Sequence, residues 1–240
     1  MAPEAPTGLP HEIDHSHSDV SGGWLRAASF GAMDGLVSNT ALIAGVAGGT
    51  AAAGTVVLSG VAGLLAGAFS MAMGEYTSVT TANEQIDSEV HTERLALRTH
   101  PEGEKDELVL MLIGMGMSEK TARAATEEIH RDENQALNFH MVQELGINPA
   151  EKPSARVAAI SSFITFAVGA IIPLIPYLLG FDSLAMGLLS GGVGLIVAGA
   201  LAARYTRKPL WWASGRQLLF GAVAIAATYG VGALIGASVT

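Results

Sequence analysis

The chain has 240 residues, half of them apolar, with a mean hydropathy of +0.40 and only 15% charged residues. A soluble domain carries about 25% charged residues, so a single water-soluble globule is disfavoured. The net charge of −9 argues against general nucleic-acid binding, and the lack of cysteine excludes disulfides, iron–sulfur clusters and thiol nucleophiles, leaving carboxylate, imidazole and thioether groups as metal ligands.

Residues 1–23 hold His11, Glu12, Asp14, His15, His17 and Asp19 and no apolar h-region, so they read as a cytoplasmic tail rather than a signal peptide. The tail histidines are weak metal ligands at most. Residues 24–80 contain two stretches long enough for a membrane helix, which needs about 20 residues. The first, Ala27 to Gly49, is apolar or small except for Asp34; the second, Val56 to Gly74, is uncharged and ends at Glu75. An ionisable residue at membrane depth is a functional-site hypothesis by default, which singles out Asp34. Met71 and Glu75 lie one helical turn apart and share a face. A thioether beside carboxylates suits first-row transition metals better than Mg²⁺ or Ca²⁺.

Residues 81–153 are a polar insert with 15 acids against seven Lys and Arg, so they carry −8 of the chain's −9. The pattern predicts three helices on the cytoplasmic face. The first continues from the second span, since Glu75 to Leu97 contains no Gly or Pro. The second starts at Pro101, and the third runs from a Ser118 N-cap to about Leu145, where Gly146 and Pro149 stop it. Glu104 and Glu107 share one face of the second helix. His140, Met141 and Glu144 cluster near the end of the third, with Glu133 two turns before. Oxygen, nitrogen and sulfur ligands together make this surface a candidate collector of divalent cations. Glu127 and His130 form a Glu-x-x-His pair, but ferritin-like di-iron sites use that pair twice and it occurs once here.

Residues 154–240 hold three more uncharged spans: Val157 to Leu179, kinked by Pro173 and Pro176, then Leu184 to Ala203, then Gln217 to Thr240. The fold class is therefore all-α: a polytopic membrane protein with five transmembrane helices and a three-helix cytoplasmic domain. With the N-terminus inside, all 13 Lys and Arg fall on the cytoplasmic side, as the positive-inside rule requires. The Gly45/Gly49, Gly63/Gly67, Gly187/Gly191 and Gly232/Gly236 pairs have the spacing of close helix packing or dimerisation. No H-E-x-x-H, P-loop, Rossmann fingerprint or nucleophilic triad is present, so the chain does not read as an enzyme.

Several segments resemble the vacuolar iron transporter family. Trp24-Leu25-Arg26-Ala27-Ala28 leading into Asp34-Gly35-Leu36-Val37-Ser38-Asn39 is similar to its opening. Ser70-Met71-Ala72-Met73-Gly74-Glu75-Tyr76-Thr77-Ser78-Val79 is similar to its second span. Glu144-Leu145-Gly146-Ile147 resembles the end of its cytoplasmic domain and Pro173-Leu174-Ile175-Pro176-Tyr177 its third span. The resemblance implies a five-helix homodimer that moves Fe²⁺, often Mn²⁺, out of the cytoplasm in exchange for protons, along a path between subunits. It has no permanent cofactor; its partners are the metal ions, protons and membrane lipid. By matching motif, Asp34 and Met71 are the intramembrane ligands and Glu75 lies near the inner mouth. Glu93, Glu104, Glu107, Met141 and Glu144 are the cytoplasmic metal-binding positions. Two departures touch metal preference: Ala96 stands where a glutamate is expected, and His140 where plant-like members carry a second Met. The compact, cysteine-free form looks bacterial, which implies export across the plasma membrane. A membrane-anchored metal-binding or ferroxidase module is the alternative; it predicts iron oxidation by the insert and no flux.

Overall fold

The computed structural model describes residues 23–49, 52–149, 151–206 and 208–239. The tail and its histidines lie outside the described residues. Among those described, every regular element is helical. Helix α1 spans Trp24–Gly48 and α2 spans Ala53–Thr99. In the insert, α3 covers Pro101–Gly114, α4 Glu119–Ile129 and α5 Glu133–Gln143. Helix α6 (Ala155–Ile171) passes through a 3₁₀ turn, Ile172–Leu174, into the short α7 (Ile175–Leu178). Helices α8 (Leu184–Thr206) and α9 (Leu210–Val239) complete the chain. Five helical stretches are long and apolar enough to cross a membrane: α1, α2, α6 through α7, α8 and α9.

Helix α2 is 47 residues long, so one continuous rod serves as the second span and as the first helix of the insert. The sequence from Ser118 to Leu145, read above as one helix, is two. His130-Arg131-Asp132 breaks it, and Asp132 begins α5 by accepting the Gln135 backbone N–H at 2.8 Å. Asp-x-x-Gln is an N-terminal capping signature, and it outcompetes continuation of α4. Ser118 caps α4 by accepting the Thr121 N–H. Gly146 closes α5 with a φ of +65°, a conformation that costs glycine little.

Helix α1 is central: it packs against α6, α9, α2 and α8. Small residues make these contacts possible. A Cβ on Gly35 would meet the Phe166 carbonyl, and one on Gly169 the Ala32 carbonyl, so α1 and α6 touch backbone to backbone. Gly45 and Gly49 meet Gly232 and Gly236 of α9 in the same way. Gly63 abuts Leu42 and Gly67 the Phe166 ring. The glycine stripes thus serve helix packing within one chain. Interhelical hydrogen bonds add to it: Thr228 Oγ1 donates to the Ala41 carbonyl (2.7 Å), Ser214 Oγ to Ile196 (3.0 Å), and Asn39 Nδ2 to Ala170.

The insert has a small core of its own. Leu97, Ala136, Leu137 and Met141 form one buried cluster and Leu108, Val109, Leu112 and Ala122 another, with Ile129 packed against both. Its return to the bundle is tied to α2 by Asn83 Nδ2 donating to the Pro153 carbonyl (3.0 Å) and by a Lys152–Asp87 ion pair.

Candidate metal sites

The intramembrane residues sit on α1 and α2, which pack on each other. Asp34 is half-buried one turn before Ser38, whose hydroxyl donates to the Asp34 backbone carbonyl at 2.6 Å and so leaves the carboxylate to other uses. Met71 is half-buried and packs on the cluster of Ala68, Phe166 and Ala170, whereas Met73 is exposed. Glu75, one turn from Met71, is buried and receives Arg26 Nη2 at 2.9 Å. The Arg26–Glu75 pair joins the first turn of α1 to α2. In the sequence Arg26 reads as one of the basic residues that set topology and as part of the opening motif. The two residues are far apart in sequence, and no local spacing signals their contact.

The insert brings four of the expected residues together. Helix α2 supplies Glu93, α3 supplies Glu104, and α5 supplies His140 with Glu144 one turn on. The fully buried His140 presents Nδ1 to Glu93 Oε1 at 3.3 Å, Glu144 Oε2 at 3.5 Å and Glu104 Oε2 at 3.8 Å. Donors bound at about 2.1 Å to one ion at tetrahedral or octahedral angles are themselves about 3.0–3.4 Å apart. The three distances from His140 Nδ1 are within a few tenths of an ångström of that spacing. Ligand atoms of Glu93, Glu104 and His140 all lie within 4.8 Å of one another. Glu93 Oε1 and both ring nitrogens of His140 are buried and make no hydrogen bond. Buried polar atoms are normally hydrogen-bonded, so these have the character of ligand atoms. Burial pushes the Glu93 carboxyl above its usual range. The His140 ring opposes this, while Glu104, Glu144 and Glu107 reinforce it by repulsion.

Glu107 is exposed, acting on Glu93 through its charge, and Met141 is completely buried in the apolar cluster with Leu97, Ala136 and Leu137. Glu133 is occupied by Arg98 at 2.8 Å and stands apart from the cluster. The Glu127–His130 pair does not close on itself. Glu127 contacts Lys105 at 3.3 Å, and His130 Nδ1 lies 3.0 Å from the Thr126 carbonyl. The His130 ring instead stands 5.4 Å from that of His140, nearly perpendicular to it. Burial lowers the His130 pKa and the Thr126 bond partly offsets this.

The model of the VIT family matches residues 25–233. The chain is 34% identical to a vacuolar iron transporter of Acanthamoeba castellanii, over 95% of this chain and 85% of that protein. It is 28% identical to vacuolar iron transporter 1 of Oryza sativa subsp. japonica, over 93% of this chain and 94% of the relative. It is 26% identical to vacuolar iron transporter 1 of Arabidopsis thaliana, over 95% and 92% respectively. The chain belongs to the VIT family.

Proposed function

We propose that this member of the VIT family is a metal-ion transporter, not an enzyme, that carries Fe²⁺, and Mn²⁺ beside it, out of the cytoplasm against protons. The metal is cargo and no permanent cofactor is involved. The observation that carries the reading is the Glu93–Glu104–His140–Glu144 cluster, gathered from three helices around the His140 ring, with its Glu93 on the same helix that carries Met71 and Glu75. Imidazole among carboxylates favours first-row transition ions over Mg²⁺ and Ca²⁺.

In this mechanism the insert lies in the cytoplasm and collects the ion, with Glu107 adding attraction. The ion then passes to Asp34 and Met71 in the bundle. Glu75 guards the inner mouth and must exchange Arg26 for the ion. Carboxylates bind metal only when deprotonated, so protons from the far side, taken up by Asp34 or Glu75, release the cargo. The Lys and Arg distribution supports an orientation with residues 1–23 and 81–153 inside. In a bacterial cell the membrane would be the plasma membrane and the direction export. Membership of the family supports a homodimer with the path between subunits.

The test is Fe²⁺ flux into proteoliposomes with and without an opposing pH gradient. Flux that rises with the gradient and carries protons the other way is expected. Flux indifferent to the gradient removes the antiport mechanism. No flux, with iron oxidised by the protein, favours an anchored ferroxidase module instead.

A further inference from the structure

Resting on the reading that Glu93, Glu104 and His140 hold the ion, we propose that His130 is a positioning residue for that site: its Nε2 accepts a hydrogen bond from the Nε2–H of His140 and fixes the tautomer in which His140 Nδ1 faces the metal.

Two unsatisfied atoms motivate this. His140 turns Nδ1 towards three carboxylates, at 3.3, 3.5 and 3.8 Å, so Nδ1 is the nitrogen on the metal side. A neutral imidazole that gives Nδ1 to a metal carries its proton on Nε2. That N–H then needs an acceptor, which in metal sites is usually a carbonyl, a carboxylate or water. His140 Nε2 is buried and has no hydrogen bond. His130 presents the complement. Its Nδ1 lies 3.0 Å from the Thr126 carbonyl oxygen, which only accepts, so Nδ1 carries the proton and Nε2 the lone pair. His130 Nε2 is likewise buried and without a hydrogen bond.

The spacing fits. Two imidazoles sharing one N–H···N bond of about 2.9 Å have centroids about 5 Å apart, and these rings stand 5.4 Å apart at an interplanar angle of 88°. The bond is not formed in the structure; in this proposal a small shift of the two rings closes it when the ion orders His140. The result is a chain from the Thr126 carbonyl through His130 and His140 to the metal. It lengthens by one imidazole the outer-shell support that metal-bound histidines normally have.

The experiment uses the full chain in detergent micelles with Co²⁺ as probe and with His11, His15 and His17 replaced by Gln to remove tail binding. His130→Phe keeps a ring of similar bulk and loses the acceptor; His130→Gln loses the ring and keeps an amide carbonyl that can accept. The proposal expects His130→Phe to weaken Co²⁺ binding by about tenfold or more and to shift the Co²⁺ visible bands, with His130→Gln restoring most of both. Equal loss in the two variants, or undiminished binding by His130→Phe, overturns it. Should either variant fail to fold, ¹⁵N histidine spectra of the Zn²⁺-loaded protein decide on the unsubstituted ring pair. His140 protonated on Nε2 and His130 on Nδ1 is expected, and His140 protonated on Nδ1 overturns the assignment. If Glu93→Gln and Glu104→Gln bind Co²⁺ as tightly as the parent, the cluster itself is not the site. That result is distinct from loss of the His130 effect alone.

Discussion

In the membrane half, acids are few and each has its own surroundings. Glu75 is buried against Arg26, and Asp34 is half-buried on a helix packed on glycine. In the insert, acids are abundant and several are engaged in ion pairs: Glu102 and Glu127 with Lys105, Asp106 and Glu119 with Arg123, Glu133 with Arg98. Among the described residues, Glu93, Glu104 and Glu144 converge, and they do so on a buried imidazole. The contrast teaches that density of negative charge does not mark the site. Convergence without hydrogen bonds is what singles out the proposed metal site of the insert, and an acid where bare hydrocarbon is expected is what singles out the proposed one in the bundle.

The sharpest way to break this comparison is Asp34→Ala. If the bundle carries the ion and the insert only gathers it, Fe²⁺ flux in proteoliposomes is expected to fall to the protein-free background at every Fe²⁺ concentration. Flux equal to the parent protein would remove Asp34 from the path.

A second contrast concerns packing. A Cβ on Gly35 meets backbone atoms of Phe166 and Ala170, which cannot swing aside. Gly35→Ala is expected to cost about 1–3 kcal/mol, as overpacking does. Gly114, at the end of α3, has open space around its Cβ position, so Gly114→Ala should change stability by less than about 1 kcal/mol. Thermal unfolding of both variants in one detergent makes the comparison.

Glu93→Gln is expected to weaken Co²⁺ or Fe²⁺ binding on the order of tenfold or more and to lower flux at limiting metal, with recovery at saturating metal. Unlike Asp34→Ala it should change the concentration dependence rather than the maximum. The pH dependence has a definite sign. The raised pKa of Glu93 means the metal-free fold holds that proton more tightly than the unfolded chain does. Stability from this group is therefore full at low pH and declines as pH rises through the folded pKa. Metal binding runs oppositely, because the carboxylate must ionise. Metal should raise the melting temperature at neutral pH, and the shift should shrink on acidification beginning above the ordinary carboxylate range.

The smallest effect belongs to Arg26→Met. The Arg26 side chain is 65% exposed and Glu75 8%, so water screens one partner of the pair. A loss of about 1 kcal/mol in thermal unfolding is expected, with faster metal entry at the inner mouth if Arg26 competes with the ion. A stability loss with unchanged entry would leave the pair a structural clamp.

Much of this was legible in the sequence because long apolar runs and local punctuation carry it. The five spans follow from uninterrupted apolar length, the start of α3 from Pro101, and the start of α4 from Ser118. The break between α4 and α5 was also written locally, as Asp132 followed by Gln135, but helical periodicity on both sides masked it. The cluster was partly legible: His140 and Glu144 are one turn apart on α5, whereas their meeting with Glu93 and Glu104 depends on how three helices fold together. Arg26 beside Glu75 and His130 beside His140 were not legible, since each is a tertiary contact with no spacing signature. Met141 suits both a thioether ligand and a core residue. Its packing with Leu97 and Leu137 is a property of the folded insert.

The unbroken α2 carries a mechanical consequence. At about 1.5 Å per residue it is about 70 Å long, more than twice the roughly 30 Å of a bilayer's hydrocarbon. Glu75 and Glu93 lie on this one rod about 27 Å apart, with no glycine or proline between them to act as a joint. A tilt of about ten degrees pivoting at Glu75 would sweep Glu93 through about 5 Å, more than the separations that define its contact with His140. In the proposed mechanism the collector residue Glu93 is therefore the far end of a rigid arm that turns about the gate residue Glu75.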